Sequence, residues 1–185
     1  MKCIKIIKDE DVGFNSIPFK EEQRRFGSRG IIFNDNHEVA VLHMKNKGIY
    51  KLIGGGIENG ETSIEAFQRE VLEETGYKIE IDEYIGTIDE FKSQTNFKQT
   101  SYLYVSHIIE NLGYTNFTQK EIDDGSELLW LNIEDAIELI QNCAEHLNQL
   151  DLEESYQLKF IVRRDYEILN YYKNNYKTNK CEKYK

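Results

Sequence analysis

One helix with well-marked ends constrains this 185-residue chain more than any other feature. Thr62 followed three residues later by Glu65 is typical of a capping box that starts a helix, and Gly76 supplies the left-handed residue that ends one. An apolar stripe between these ends recurs at three- and four-residue spacing. It consists of Ile64, Phe67, Val71 and Thr75. A helix with one apolar face has to pack on another layer, so we expect this stripe to face a sheet.

The other side of the same helix is acidic. Glu70, Glu73 and Glu74 stand at positions i, i+3 and i+4, which places three carboxylates on one face within about one turn. Like charges at this spacing repel, but a hard divalent cation such as Mg²⁺ accepts several carboxylate oxygens. Arg69 is placed to pair with one of these carboxylates or to orient it. The helix is therefore predicted to present a core face and a metal-binding face.

A glycine-rich segment precedes the helix. Gly54 to Gly56 allow close approach of the backbone, and an exposed carbonyl of Gly54 would add an oxygen ligand for a metal. Glu61 lies at the helix N-terminus, where negative charge is favoured and from which it reaches back toward the other glutamates. Three glutamates on a helix are by themselves usually a solvated face. Their fixed spacing from the glycines, the cap and the arginine favours a metal site.

The rest of the chain alternates between strand and helix patterns. Strands are predicted at the N-terminus (MKCIKIIKDED) and at Gly30–Phe33, Val39–Met44, Tyr50–Ile53, Lys78–Ile88, Ser101–Ile109 and Leu128–Leu131. The polar stretch FKSQTNFKQT is expected to join two of them. Helices are predicted from Ile133 to about Leu147, capped by Asn132, and from about Glu153 to Tyr172. This order indicates an α/β fold, an αβα sandwich with a mixed β-sheet between helices. We expect one domain over residues 1–172 and a basic, flexible tail over 173–185.

Composition excludes several classes of partner. The net charge of −10 argues against binding to polymeric nucleic acid or to an anionic membrane, because both attract basic surfaces. The three cysteines, Cys3, Cys143 and Cys181, show no short spacing, so a disulfide framework or a cysteine zinc site is not expected. No signal peptide or membrane span is predicted. We therefore expect a soluble protein in a reducing cytoplasm.

The segment from Gly55 to Tyr77 resembles the Nudix box, G-x5-E-x7-R-E-U-x-E-E-x-G-U, in which U is aliphatic. The matching residues are Gly55, Glu61, Arg69, Glu70, Val71, Glu73, Glu74, Gly76 and Tyr77. Tyr77 departs from the pattern because an aliphatic residue is usual there, and Ile53 stands where a proline often precedes the glycines. Neither position is a metal ligand in the family. The order of elements from about Gly30 to Leu147 is also similar to the Nudix αβα sandwich.

The resemblance implies metal-dependent hydrolysis of a nucleoside diphosphate linked to another group. The metal, Mg²⁺ or Mn²⁺, would be held by Glu70, Glu73, Glu74 and the carbonyl of Gly54, and Glu70 or Glu74 would orient the attacking water. By the same resemblance, Glu61 and Arg69 would hold the ligands in place, and a homodimer is plausible.

Members of the family often use one more carboxylate from outside the box. The segment Gln119–Glu127 offers Glu121, Asp123, Asp124 and Glu127, of which Glu127 is best aligned because it precedes a strand. A solvated acidic loop is an equally good interpretation of this segment.

The substrate is less well defined than the reaction. Candidates for an aromatic platform under a base are Tyr50, Phe91, Phe97, Tyr102 and Tyr104, although each also fits ordinary strand packing. Arg163 and Arg164 on the last helix are expected on a solvated face. The single proline, Pro18, leaves the chain without the proline marks of ADP-ribose and NADH hydrolases. By elimination we expect a nucleoside triphosphate or modified nucleotide. The alternatives are a Nudix-fold sensor without hydrolysis, an ADP-ribose or sugar-nucleotide hydrolase, and an isomerase of isopentenyl diphosphate type.

Overall fold

A computed structural model describes residues 2–177 of the chain. Its strands are β1 (Cys3–Lys8), β2 (Gln23–Phe33), β3 (Val39–Met44), β4 (Ile49–Lys51), β5 (Gly54–Gly56), β6 (Tyr77–Lys92), β7 (Phe97–Asn111) and β8 (Ser126–Leu131). Its α-helices are α1 (Ser63–Thr75), α2 (Gln119–Asp123), α3 (Ile133–Leu147) and α4 (Leu152–Tyr172). The eight strands form one mixed sheet. The predicted α/β class is confirmed.

The sheet has the order β1-β6-β7-β2-β3-β4, with β5 paired to β2 and β8 paired to β3. The β1–β6 and β2–β7 pairs are parallel, and the remaining pairs are antiparallel. Because successive side chains of a strand point to opposite faces, each strand contributes to two cores. In β3, Leu42 packs with Phe67 and Val71 of α1, whereas Val41 packs in the cluster that contains residues of α3 and α4. The sheet therefore lies between α1 and the α3–α4 pair.

Helix α1 begins and ends as the sequence predicts. The Thr62 side chain accepts a bond from the Glu65 N–H, Glu65 bonds back to the Thr62 backbone, and Gly76 has a left-handed φ of 73°. The predicted apolar stripe is wrong at one position, because Ile64 is 43% exposed. The buried face passes through Ala66 instead and includes a carboxylate, Glu74.

The strands β6 and β7 are longer than predicted. They continue into the polar stretch that we expected to be a connection, and only a 3₁₀ turn at Ser93–Thr95 separates them. Asn96 closes this turn with φ of 54° and donates its N–H to the Ser93 carbonyl at 3.2 Å. Polar residues are tolerated in this part of the hairpin because several of them, such as Glu90 and Gln99, bond to one another inside the protein at 3.2 Å.

Helix α4 carries a buried ionic cluster, which corrects the expected solvated position of Arg164. Arg164 donates to Asp165 Oδ1 at 2.7 Å and to Glu90 Oε2 at 3.3 Å, and all three side chains are buried. Burial raises the pKa of the Glu90 carboxyl, but the charges of Arg164, Lys92 and Arg29 outweigh that effect and leave the pKa lowered. Arg163, the neighbouring residue, does lie on the outer side, paired with Glu167 at 2.7 Å.

Asp165 also holds the backbone of the sheet. Its Oδ2 accepts the N–H of Leu52 at 2.9 Å, in the short link between β4 and β5. This bond ties the last α-helix to the chain that enters the glycine segment.

After α4 the chain makes one π-helical turn, Lys173–Lys177, in which the Tyr176 ring stacks on Tyr172 at 5.2 Å. The rest of the predicted tail, residues 178–185, lies outside the described residues, so the flexible tail and its boundary stay predictions. Among residues 2–177, the structure contains no helix that is both long enough and apolar enough to cross a membrane.

We predict that Asp165→Ala lowers the free energy of unfolding by about 3–5 kcal/mol, because it leaves the buried Arg164 without its main partner. Urea denaturation followed by circular dichroism measures the change. Glu167→Ala on the same helix is the control: its pairs with Lys5 and Arg163 are partly exposed and are worth about 1 kcal/mol or less. Equal losses in the two variants would show that the buried cluster has no special role in stability.

Candidate active site

Arg69 is the centre of the acidic face of α1. Its Nε donates to Glu61 Oε1 at 2.7 Å and its Nη2 to Glu61 Oε2 at 3.1 Å. Its Nη1 donates both to Glu70 Oε1 at 2.9 Å and to Glu73 Oε2 at 3.1 Å, and Nη2 also reaches the carbonyl of Gly56 at 3.0 Å. One guanidinium thus joins three carboxylates and the glycine segment.

The bonds between Arg69 and Glu61 stabilise the charged forms of both side chains. The hydrogen bonds from Arg69, followed by the backbone N–H of Glu58, lower the pKa of Glu61 to about 2. The bond to Glu61, opposed by partial burial and reinforced by Glu70, raises the pKa of Arg69. The pair is therefore ionised throughout the range of neutral and mildly acidic pH.

The glycine segment lies directly against this acidic face. A Cβ added at Gly55 would clash with the carboxylate of Glu70, so a larger residue there would displace that carboxylate from its present position. Gly54 has φ of 137°, a conformation that favours glycine, and its N–H donates to Glu74 Oε2 at 3.1 Å. Both glycines thereby bring backbone within reach of box carboxylates.

Glu74 has a different environment from Glu70 and Glu73. It is 1% exposed, and Lys51 of β4 donates to its Oε1 at 2.6 Å. Burial raises the pKa of the Glu74 carboxyl, and the positive charge of Lys51 and its hydrogen bond act in the opposite direction. The helical spacing puts Glu74 on the same face of α1 as Glu70 and Glu73. Its partner Lys51 lies 23 residues away in the sequence, and no local pattern indicates this pairing.

The structure does not bring Glu127 to these carboxylates. Glu127 accepts from Lys45 Nζ at 2.6 Å and lies 3.2 Å from His43 Nδ1. Glu127 in β8 pairs with His43 in β3. The His43 side chain lies on the same face of the sheet as that of Val41, which is the face toward α3 and α4, whereas α1 packs on the other face. The bond from Lys45, and then that from His43, lower the pKa of Glu127. A catalytic role for Glu127 stays a prediction, and these contacts do not add to its support.

Of the other acids of the expected loop, Glu121 and Asp123 belong to a short helix, α2, and Asp124 follows it as the C-cap. Thr118 caps α2 by a capping box in which Glu121 bonds back to it at 2.7 Å. Asp123 accepts a bond from Gln119 at 2.9 Å. The segment is thus more ordered than the predicted acidic loop, since its side chains cap and brace α2.

The five candidate platform residues are divided between the two faces of the sheet. On the α1 side, Tyr104 bonds Ser63 at 2.6 Å and stacks on Phe67, and Tyr102 packs near the same cluster. On the other side, Tyr50 stacks on His43 with ring centroids 4.2 Å apart. The Phe97 ring lies under the ammonium of Lys92, next to α4. Phe91 lies against the ammonium of Lys98.

The residues of the acidic face fit a hard divalent cation by their chemistry. Glu70 and Glu73 already direct oxygens at one nitrogen of Arg69, which shows that two carboxylates from successive turns converge on a single cationic position. No group of three or more His, Cys, Asp or Glu side chains within residues 2–177 has the arrangement of a completed metal centre. Arg69 and Lys51 hold the carboxylates in the positions described. A metal would therefore have to compete with these two cations for its ligands.

Comparison with known proteins identifies the family. The NUDIX domain model matches residues 23–152, which is more than half of the chain. The chain belongs to the NUDIX family, as its box predicts. Helix α4 lies almost entirely beyond the matched region.

Individual relatives are more distant. A Bacillus subtilis (strain 168) protein named "Putative 8-oxo-dGTP diphosphatase" is 34% identical over 68 residues, which cover 37% of this chain and 46% of that protein. The chain thus spans about half the length of this curated relative.

Two solved structures share the fold. A NUDIX hydrolase from Nitrosomonas europaea has a TM-score of 0.53 at 15% identity, over 75% of this chain and 88% of its own. A MutT NUDIX hydrolase from Burkholderia pseudomallei has a TM-score of 0.50 at 21% identity, over 61% and 86%. At these identities the likeness describes the fold alone.

We predict that Glu61→Gln destabilises the protein at neutral pH but not in strong acid. Because the folded-state pKa of Glu61 is depressed from 4.5 to about 2, its stabilising effect is present above about pH 4.5 and is lost as the pH falls toward 2. The difference in unfolding free energy between wild type and variant should shrink steadily over that range in urea titrations. Glu145→Gln, at an exposed position of α3, is the control, and an equal pH trend in it would contradict the assignment.

Proposed function

We propose that this protein is a metal-dependent pyrophosphohydrolase that cleaves a nucleoside diphosphate linked to another group. The observation that supports this most directly is the convergence of Glu70 and Glu73 on one cationic position beside the glycine segment. Membership of the NUDIX family supports the same reaction. Mg²⁺ is the metal we propose, with Mn²⁺ as a substitute, because the available donors are hard oxygens.

In this proposal Glu70, Glu73, Glu74 and the Gly54 carbonyl hold the metal. A divalent cation there would stabilise developing charge on phosphate and make the attacking water more acidic. Arg69 and Glu61 would keep Glu70 and Glu73 in position, since Arg69 bonds all three carboxylates. Of the two candidates, Glu70 and Glu74, we propose Glu70 as the residue that would orient the water, because 15% of its side chain is exposed and Glu74 is buried. Glu74 would release Lys51 on binding metal.

For the substrate we propose a nucleoside triphosphate or a modified nucleotide. The name of the Bacillus subtilis relative, a diphosphatase for 8-oxo-dGTP, supports that class. A hydrolase of ADP-ribose or of sugar nucleotides is the second candidate, and a nucleotide sensor without hydrolysis is the third. The retained set of box carboxylates favours an enzyme over a sensor, because a sensor has no need of a complete metal-binding face.

We predict that Glu73→Gln lowers turnover by about two orders of magnitude, because loss of one group that stabilises developing charge typically costs about 10²–10³ in kcat, and loss of a group that supports a metal ligand about 10–100-fold. Glu73 is the best single test since it is the most exposed box ligand, at 34% of its side chain, and should not be needed for folding. The measurement is product release, identified by mass, from a panel of nucleoside triphosphates, oxidised nucleotides, ADP-ribose and sugar nucleotides. Activity should disappear with EDTA and return with Mg²⁺.

Two further variants sharpen this experiment. Glu145→Gln, which removes an equal charge on α3, should keep the wild-type rate. Glu127→Gln tests the remaining catalytic candidate: a loss like that of Glu73→Gln would place Glu127 in the site, and a wild-type rate would remove it. A Glu73→Gln variant with full activity would refute the proposed metal site, whereas nucleotide binding without any product would favour the sensor.

A further inference from the structure

Arg25 lies beside the acidic face and, among the described residues 2–177, forms no ion pair with a carboxylate. It lies in β2, two residues before that strand pairs with β5 at Gly27, and its side chain is exposed. A Cβ added at Gly56 would clash with its guanidinium, so the guanidinium lies directly over that glycine. The carbonyl of the same glycine accepts a bond from Arg69 at 3.0 Å. Arg25 and Arg69 therefore both lie against Gly56.

The other cations near this site have partners. Arg69 bonds three carboxylates, Lys51 bonds Glu74, and both Arg24 and Lys98 pair with Glu22. In the chain between residues 2 and 177, no carboxylate forms an ion pair with Arg25. Arg69 directs its hydrogen bonds to Glu61, Glu70, Glu73 and the Gly56 carbonyl, whereas the exposed guanidinium of Arg25 keeps its own donors for another acceptor. Its location suits an anion supplied by a ligand.

The space next to Arg25 limits the size of that anion. The guanidinium lines a hollow of about 110 Å³ together with Arg24, Phe26, Asp89, Phe91, Lys98 and Thr100. Sites for drug-sized ligands are typically about 300–1,000 Å³. The hollow is therefore of a size for one phosphate group and too small for a whole nucleoside.

We propose that Arg25 binds a phosphate group of the substrate, next to the metal-binding carboxylates and on the same glycine as Arg69. The planar guanidinium matches phosphate oxygens by two parallel hydrogen bonds, which a lysine ammonium does not reproduce. The inference rests on the proposed function, because it assumes a ligand with a phosphate chain. Arg25 would thus fix which phosphate lies over the carboxylates and which lies beyond them.

The test is binding of imidodiphosphate with Mg²⁺, a pyrophosphate analogue in which NH replaces the bridging oxygen and which resists hydrolysis. Isothermal titration calorimetry would compare wild type, Arg25→Gln, Arg25→Lys and Arg163→Gln. We expect Arg25→Gln to weaken binding about ten- to a hundredfold, the range for a lost hydrogen bond to a charged group. Arg25→Lys should lie between it and wild type. Because residue 25 is exposed, the thermal midpoint should not change.

Arg163→Gln is the matched control, since it removes the same charge from α4, on the side of the sheet away from α1, where its partner is Glu167. It should leave the affinity within about threefold, the scale of a distant and screened charge. If Arg25→Gln and the control weakened binding equally, only the overall electrostatic potential of the protein would act on the ligand, and the proposal would be overturned. Unchanged affinity in Arg25→Gln, or no binding by the wild type, would overturn it as well.

The outcomes also separate this proposal from the proposed hydrolysis. If imidodiphosphate binds through Arg25 but no substrate of the panel is cleaved, hydrolysis fails and the phosphate contact stands. If the wild type cleaves a substrate and Arg25→Gln keeps both its kcat and KM, the phosphate contact fails and hydrolysis stands.

Discussion

The bonds between Arg69 and three carboxylates make the rest of the site possible. Glu70 and Glu73 repel each other on one helix face, and Glu61 adds a third negative charge at the start of the same helix. A single guanidinium offsets one of these three charges, bonds all three carboxylates and also bonds Gly56, so the acidic face and the glycine segment form one unit. Without this cation the repulsion among the carboxylates would have no counterpart, and the side chains would separate into solvent.

A second set of buried charges supports the same segment from the opposite face of the sheet. Asp165 bonds both Arg164 and the backbone of Leu52, while Arg164 reaches Glu90 in β6. Gly54, two residues after Leu52, then donates to Glu74. The glycine segment is therefore held by a carboxylate from α1 on one side and by a carboxylate from α4 on the other. Helix α4 contributes to the site although it lies beyond the matched NUDIX region.

The parts of the structure that depend on residues close together in the sequence could be predicted. The cap at Thr62, the end at Gly76 and the spacing of the box follow from neighbouring residues, and the structure has them as predicted. The parts that depend on contacts between residues far apart in the sequence could not be predicted. The burial of Glu74 depends on Lys51, and the face on which Glu127 lies depends on its pairing with His43. Arg164 looks like a surface residue until Glu90 and Asp165 are placed around it.

The bond from Leu52 to Asp165 spans 113 residues of sequence, and this has a consequence for synthesis on the ribosome. The whole box, from Gly55 to Tyr77, emerges long before the acceptor for the Leu52 N–H has been translated. In a nascent chain that ends before residue 165, the Leu52 N–H lacks this acceptor and is left to water. The link between β4 and β5 can therefore take its final hydrogen bonding only after α4 has been made, which is the kind of long-range contact that slows folding.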